Sequence, residues 1–309
     1  MTMPEAKLCV TVVGLGNTGQ SIALSLRAQP VCERFEVIGH DRSPEVARAA
    51  ASAGAVAKTH WNLPSSVAGA DLVVLALPTS EAAATLRLIA GELKKGAVIT
   101  DTAALKSPLL KVAQECLPPG VEYVGGHPLA RPARPAAGAF AGARWCLTPS
   151  VGASEESIAL VESVVRALGA EPLFMQPEEH DALMLGLQVL PALLAAAYLA
   201  LIQRSGAATG DMWQLRHALP PSLAETAGSL DPASLQALDP QLKETLAQWL
   251  ERFRQSFAEL SDALRAQDAA AQQLLAKIQK EREDWLRGPT PDNPLPPSRS
   301  NWQRLLGLR

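Results

Sequence analysis

The chain has 309 residues, 48% of them apolar and 19% charged, a composition of a soluble globular protein with room for about two domains. A net charge of −3 supplies no positive field for nucleic acid. Cys9, Cys32, Cys116 and Cys146 are too scattered for a disulfide framework or a zinc site, which fits a reducing cytoplasm and no bound metal.

The opening MTMPEAK leads directly into an apolar run and leaves no room for the regions of a signal peptide. That run, Leu8 to Val13, reads as a strand buried on both faces of a parallel sheet. It ends in Gly14-Leu15-Gly16-Asn17-Thr18-Gly19, a G-x-G-x-x-G turn opening a helix with apolar positions Ile22, Leu24 and Leu26. Gly14 permits the tight turn, Gly16 removes a Cβ that would block a pyrophosphate, and Gly19 lets helix and strand pack closely. A second strand, Phe35 to Ile38, leads to Asp41, 22 residues after Gly19. A carboxylate at an offset of about 20 residues meets the ribose hydroxyls of a dinucleotide, which favours NAD over NADP. Arg42 follows, and its guanidinium could stack on adenine or pair with a 2'-phosphate.

Pro44 to Ala53 reads as a short helix, and His60 as a packing or surface residue without metal-ligand companions. Leu72 to Leu77 is a further buried strand whose end places Leu77, Pro78 and Thr79 beside a cofactor crevice. A helix from Glu81 to Leu93 and a strand from Ala97 to Thr100 follow. Lys106 then reads as a surface lysine at the start of the helix to Cys116, or as a side chain pointing into the crevice. The strand Val121 to Val124 runs into Gly125-Gly126-His127-Pro128, which places an imidazole at the end of an α/β sheet where chemistry gathers. Trp145 to Leu147 and Glu171 to Met175 are short strands on either side of a helix from Ser154 to Leu168, which Ser154 caps.

Pro177-Glu178-Glu179-His180-Asp181 opens a long apolar helix, Ala182 to Ile202. Its length suits a membrane span, yet an acidic start and Pro191 mid-run point to a helix buried in a core or subunit interface. Gln241 to Arg287 carries apolar residues at three- and four-residue steps, a stripe suited to packing against a second subunit. Residues 288–297 form a Pro-rich linker and 301–308 a small amphipathic tail with Trp302. The expected organisation is an α/β Rossmann-type doubly wound domain, 1–176, an all-α dimerisation and substrate domain, 177–287, and the linker and tail, 288–309.

Taken together, GLGNTG at Gly14, GHDRSPE at Gly39, the T-D-x-x-x-x-K element at Thr100 to Lys106, GGHPLA at Gly125, WCLTP at Trp145 and PEEHD at Pro177 resemble the prephenate and arogenate dehydrogenases of tyrosine biosynthesis. The resemblance implies a cytoplasmic homodimer whose active site lies between the Rossmann and helical domains, with NAD as cofactor and prephenate or arogenate as substrate. It implies that prephenate is oxidatively decarboxylated to 4-hydroxyphenylpyruvate, with His127 taking the hydroxyl proton and Lys106 assisting. The chain departs from that pattern at Ala104, where the family has serine, and at Val189 and Ala192, where it has histidines. A family arginine falls near Thr226, and a family glycine is replaced by Arg131. Arg131 and Arg134 read either as the cationic partners of substrate carboxylates or as solvated loop residues, and Gln188 is a further candidate for substrate binding. Two other readings share the fold: a dehydrogenase of another small carboxylate, and a nucleotide-binding homologue without catalysis.

Overall fold

The computed structural model describes residues 7–206, 214–266 and 269–288. The chain divides into two compact units, Met1–Asp239 and Pro240–Arg309.

The first unit is built on one eight-stranded sheet. Its strands are β1 (Leu8–Val13), β2 (Phe35–His40), β3 (Lys58–Thr59), β4 (Leu72–Leu75), β5 (Val98–Asp101), β6 (Glu122–Pro128), β7 (Arg144–Pro149) and β8 (Glu171–Phe174). They lie in the order β3-β2-β1-β4-β5-β6-β7-β8. Every described pair from β3 to β6 is parallel, β6 and β7 are antiparallel, and β8 runs parallel to β7. The winding reverses between β1 and β4, and the crevice at such a reversal is where open α/β sheets take their ligands. The helices that cross between strands are α1 (Asn17–Leu26), α2 (Pro44–Ser52), α3 (Leu63–Val67), α4 (Thr79–Ile89), α5 (Ser107–Cys116) and α6 (Glu155–Ala167). Two apolar clusters cover the two faces: one gathers Val10, Val12, Leu26, Leu72 and Trp145, the other Val73, Leu75, Leu86, Ile99 and Tyr123. The doubly wound sheet is thus as the apolar runs of the sequence foretell. The expected cap is also present, with Ser154 Oγ accepting from Ser157 N at 3.2 Å.

β6 extends beyond the expected Val124 through His127 to Pro128, because β7 pairs with it and sets His127 opposite Cys146. Glycine is required at both preceding positions. A methyl at Gly125 would lie 2.3 Å from Thr148 Oγ1, and one at Gly126 would lie 2.6 Å from Asp101 O.

Beyond the sheet, α7 (Pro177–Met184) passes into a π-helical turn, Leu185–Val189, before α8 (Leu190–Gly206). The sequence suggests one uninterrupted helix here. Pro191 has no N–H to offer the carbonyl four residues back, and the Leu190 N–H instead reaches Leu185 O, five residues back. Pro177–Arg204 is long and apolar enough to cross a membrane, and 28% of its most apolar stretch is buried within the chain. Leu187 and Leu201 are more than half exposed. Two short helices close the unit, α9 (Pro221–Gly228) and α10 (Pro232–Gln236).

The second unit holds α11 (Pro240–Ala266) and α12 (Ala269–Arg287); Leu242 and Leu246 of the three- and four-residue stripe are buried, while Leu250, Phe257 and Leu264 farther along it are exposed. The expected tail with Trp302, and the linker beyond Gly288, lie outside the described residues.

Candidate active site

The glycine turn is built as the spacing requires. Gly14 adopts φ +89°, and a methyl there would sit 2.5 Å from Ala76 O. One at Gly19 would sit 1.9 Å from Gly14 O, so helix and turn touch through bare backbone. A methyl at Gly16, in contrast, meets nothing within 4 Å. Gly16 is the N-cap of α1 and leaves the first N–H groups of that helix without a side-chain cap. Backbone open to a cleft at an uncapped helix start is a cradle suited to a pyrophosphate.

That cleft has a volume of about 450 Å³. The glycine turn contributes Gly16, Asn17 and Thr18 to its wall, the end of β4 contributes Leu77, Pro78 and Thr79, and β6 contributes His127. Arg131 and Gln188 also line it. Of the other residues singled out from the sequence, Gly14 and Gly19 shape the turn from behind, and the Leu15 side chain is buried in the core. Asp41 accepts the Leu15 N–H and the Ser43 N–H, each at 2.8 Å, so its carboxylate fixes the turn whatever else it meets. Arg42 is exposed and pairs with Glu81 at 3.5 Å. Arg134 is exposed and does not line the cleft.

Lys106 corrects both readings of the sequence, because it lies neither on the surface nor in the crevice. Its side chain is fully buried, ion-paired with Asp101 and donating to Gly126 O at 2.5 Å. A buried ammonium is tolerable only with such partners, and Asp101 supplies the charge. Asp101 also receives the Tyr123 hydroxyl, the Ala103 N–H at 2.8 Å and the Gly126 N–H at 3.3 Å. Burial and the charge of Asp101 hold the Tyr123 phenol well above its ordinary pKa, so it stays a donor. The Gly126 peptide is therefore gripped at its N–H by Asp101 and at its carbonyl by Lys106. Lys106 thus reaches His127 through that backbone and through its charge, and does not line the cleft.

His127 is 2% exposed, and its Nδ1 lies 2.9 Å from His180 Nε2. His180 Nδ1 lies 2.9 Å from Asp181 Oδ1, and both residues are fully buried. Asp181 is anchored in turn by the Lys106 and Ser107 N–H groups at the start of α5, each at 2.7 Å. These bonds assign the protons. A carboxylate only accepts, so His180 carries its proton on Nδ1 and, when neutral, presents a bare Nε2. His127 then donates from Nδ1, and its Nε2 lone pair faces the cleft. Arg131 donates to Gln188 Oε1 at 2.7 Å, which turns the Gln188 amide nitrogen toward His127 Nε2 at 3.3 Å. Burial, followed by the charge of Lys106, holds the His127 pKa well below its ordinary 6.5. A reaction using His127 as base should keep kcat/KM level through neutrality and lose it only below pH 6.5, as the imidazole protonates. An acid limb above pH 7 in a pH–rate profile would contradict this.

His180 and Asp181 are the residues that sequence reasoning missed as functional. They read there as the polar start of an apolar helix and as part of the PEEHD element, a His-Asp pair leading into a run otherwise free of charge, with no role given to either. The departures from the family pattern converge on the cleft: Ala104, Val189 and Ala192 all line it. So do Ser229, Leu230 and Asp231, which the sequence does not single out.

A doubly wound sheet with an open glycine turn, facing a buried histidine across one cleft, defines a nucleotide-binding protein of the oxidoreductase type. The family described as "Prephenate dehydrogenase, nucleotide-binding domain" matches residues 22–173. The 4-amino-4-deoxyprephenate dehydrogenase of Streptomyces pristinaespiralis is 30% identical over 300 residues, 87% of this chain and 95% of that protein. The chain belongs to the prephenate dehydrogenase family. The prephenate dehydrogenase of Bacillus subtilis is 28% identical over 201 residues, 63% of this chain, and the match spans 54% of that relative's length. In fold the chain is similar to the prephenate dehydrogenase of A. aeolicus solved with hydroxyphenyl propionate and NAD+, with a TM-score of 0.70 and 22% identity, covering 90% of this chain and 98% of that one.

Proposed function

We propose that the chain is an NAD-dependent dehydrogenase that oxidatively decarboxylates a prephenate-type cyclohexadiene, the parent reaction converting prephenate to 4-hydroxyphenylpyruvate. The observation that carries this reading is His127, whose bare Nε2 faces the same cleft as the open backbone of Gly16. In this reading residues 1–176 hold the nucleotide through the Gly14–Gly19 turn and the wall of Leu77, Pro78 and Thr79. Residues 177–287 serve as the helical half, in which Gln188, Val189 and Ala192 close the substrate side, and the exposed Leu187 and Leu201 of the apolar helix support the pairing of two subunits. Four unpaired cysteines fit a cytoplasmic site of action.

When bound, the nicotinamide accepts the hydride that leaves substrate C4. His127 Nε2 takes the C4 hydroxyl proton, and its own Nδ1–H keeps the growing positive charge in contact with His180 and, behind it, Asp181. The ring carboxylate departs as CO2, the electron pair of the broken C–C bond completes the aromatic ring, and His127 returns the proton to the phenolic oxygen. Gln188 must release His127 Nε2 for this to begin, and a carboxylate engaging Arg131 removes the bond that holds the Gln188 amide in place.

The direct test is to supply prephenate or arogenate with NAD or NADP and follow the absorbance of the reduced nicotinamide. Nucleotide binding without turnover would point to a homologue that has lost catalysis. The preference for NAD rests on Asp41 beside the glycine turn. Asp41→Asn keeps an acceptor for the Leu15 or Ser43 N–H while removing the charge, so KM for NAD should rise several-fold with little change for NADP. Equal effects on both cofactors would show that this carboxylate serves the turn alone.

A further inference from the structure

His127 is a base in surroundings that oppose a cation. Among the described residues its ring meets the Gln188 amide at 3.3 Å and His180 at 2.9 Å, and Ala104 in the cleft wall offers no hydroxyl where the family pattern has serine. Burial, followed by the charge of Lys106, any charge on His180 and the charge of Arg131, all work against a proton added to this ring. In the dehydrogenase reading the oxidised nicotinamide adds another positive charge to the same cleft. The reaction nevertheless needs the proton held until the substrate ring is aromatic.

His180 stands one hydrogen bond further in, where the balance is reversed. Its Nδ1 lies 2.9 Å from Asp181 Oδ1, both side chains are fully buried, and the carboxylate is fixed by the Lys106 and Ser107 N–H groups at 2.7 Å. An opposite charge in contact is worth far more in a buried site than in water. The His127 and His180 rings meet edge to face, 80° apart, and His127 Nδ1 points at His180 Nε2. An imidazole keeps its proton against a carboxylate, but two imidazoles start level, so their surroundings decide which of them is charged. Of the other titratable groups packed around the pair, Lys106 and Asp101 are ion-paired, Tyr123 is held protonated, and burial pushes the Cys146 thiol, opposite His127, up to about 11.

Resting on the dehydrogenase reading above, we propose that His180 is the proton store of the reaction, receiving the Nδ1 proton of His127 as His127 Nε2 takes the substrate hydroxyl proton. The substrate O–H bond and the His127 Nδ1–H bond break, and His127 Nε2–H and His180 Nε2–H bonds form. His127 ends neutral, and the cation rests on His180 against Asp181. Once the hydride has left C4 and CO2 has departed, both transfers run backwards and the phenolic oxygen recovers its proton. His180 acts through His127 and is not part of the cleft wall.

His180→Gln separates a proton store from simple alignment, because glutamine keeps an acceptor for the His127 N–H but holds no proton. In this variant kcat should fall about tenfold or more, while KM and the NADH dissociation constant stay within about twofold. The acid limb of the pH–rate profile should move down by about one unit, since His127 must then bear the charge alone. A residue that merely aims the ring would leave the limb in place. An unmoved limb therefore overturns the proposal, whatever happens to kcat, and leaves the dehydrogenase reading standing. NMR of isotope-labelled imidazole nitrogens in the NADH-loaded native protein gives a readout independent of turnover, with the rings assigned from His127→Asn and His180→Gln. As pH falls from neutrality the imidazolium signature should appear first on His180, with the bare nitrogen of His127 moved from Nε2 to Nδ1. Imidazolium first on His127, or on neither ring before the chain unfolds, would overturn the store as well. Absence of turnover with prephenate and arogenate and either nucleotide would remove the dehydrogenase reading instead, and the NMR titration alone would then decide which ring holds the proton.

Discussion

His127→Asn is expected to lower kcat by about 10²–10⁴, the range that a positioned general base contributes. Asparagine is smaller than imidazole and preserves a polar group at the end of β6, but it has no basic lone pair to receive a hydroxyl proton. His127 lies apart from the Gly14–Gly19 turn in the sequence, so the dissociation constant for NAD should stay within about twofold of the native value if the residue serves chemistry rather than nucleotide binding. Stopped-flow reduction of the nicotinamide, with fluorescence titration of NADH, separates the two quantities. A kcat within tenfold of native would remove His127 from the reaction. The same variant should flatten the acid limb of the pH–rate profile, since the titrating base is gone.

The second large effect concerns stability. Asp101→Ala leaves the Lys106 ammonium buried without a counter-charge and also strips acceptors from Tyr123, Ala103 and Gly126. Breaking one side of a buried pair costs about 3–5 kcal/mol, which should show as a lower midpoint in urea. Replacing Lys106 by Met as well removes the stranded charge, so the double variant should recover part of that loss. A single-variant loss below about 1 kcal/mol would mean that water reaches Lys106 and that its burial has been misjudged. Activity offers a second readout. With the Gly126 peptide released, the His127 ring should lose its fixed aim, lowering kcat in protein that remains folded.

The sheet was legible because its strands are continuous apolar runs ended by glycine, proline or aspartate, signals that depend on neighbours in sequence alone. Leu8–Val13 and the turn after it fall where the spacing puts them, and so does His127. What the sequence concealed depends on distant contacts. Nothing near Lys106 reveals that its ammonium lies under β6, because that follows from Asp101 and Gly126 arriving from two neighbouring strands. His180 and Asp181 look like a solvated helix start, and only the packing of α7 on α5 turns them inward, where Asp181 caps that helix. Asp231, which the sequence does not single out, caps α10, with Ser234 N donating to it. Its place in the cleft depends on Ser80, 151 residues earlier. Local patterns thus reported the scaffold and the base, and were silent about the groups that orient the base.

The π-turn at Leu185–Val189 gives the substrate side a device for change that needs no new fold. Such a turn amounts to one residue inserted into an α-helix, and each residue advances a helix by about 100°, so losing or gaining one there re-aims whatever stands at position 188 while leaving the helix on either side intact. A lineage could exchange the side chain presented to His127 through a single-codon deletion, without disturbing the nucleotide turn some 170 positions earlier in the chain. Divergence of substrate in proteins built this way would then be recorded as small length differences inside one helix as much as in the identities of the residues lining the cleft.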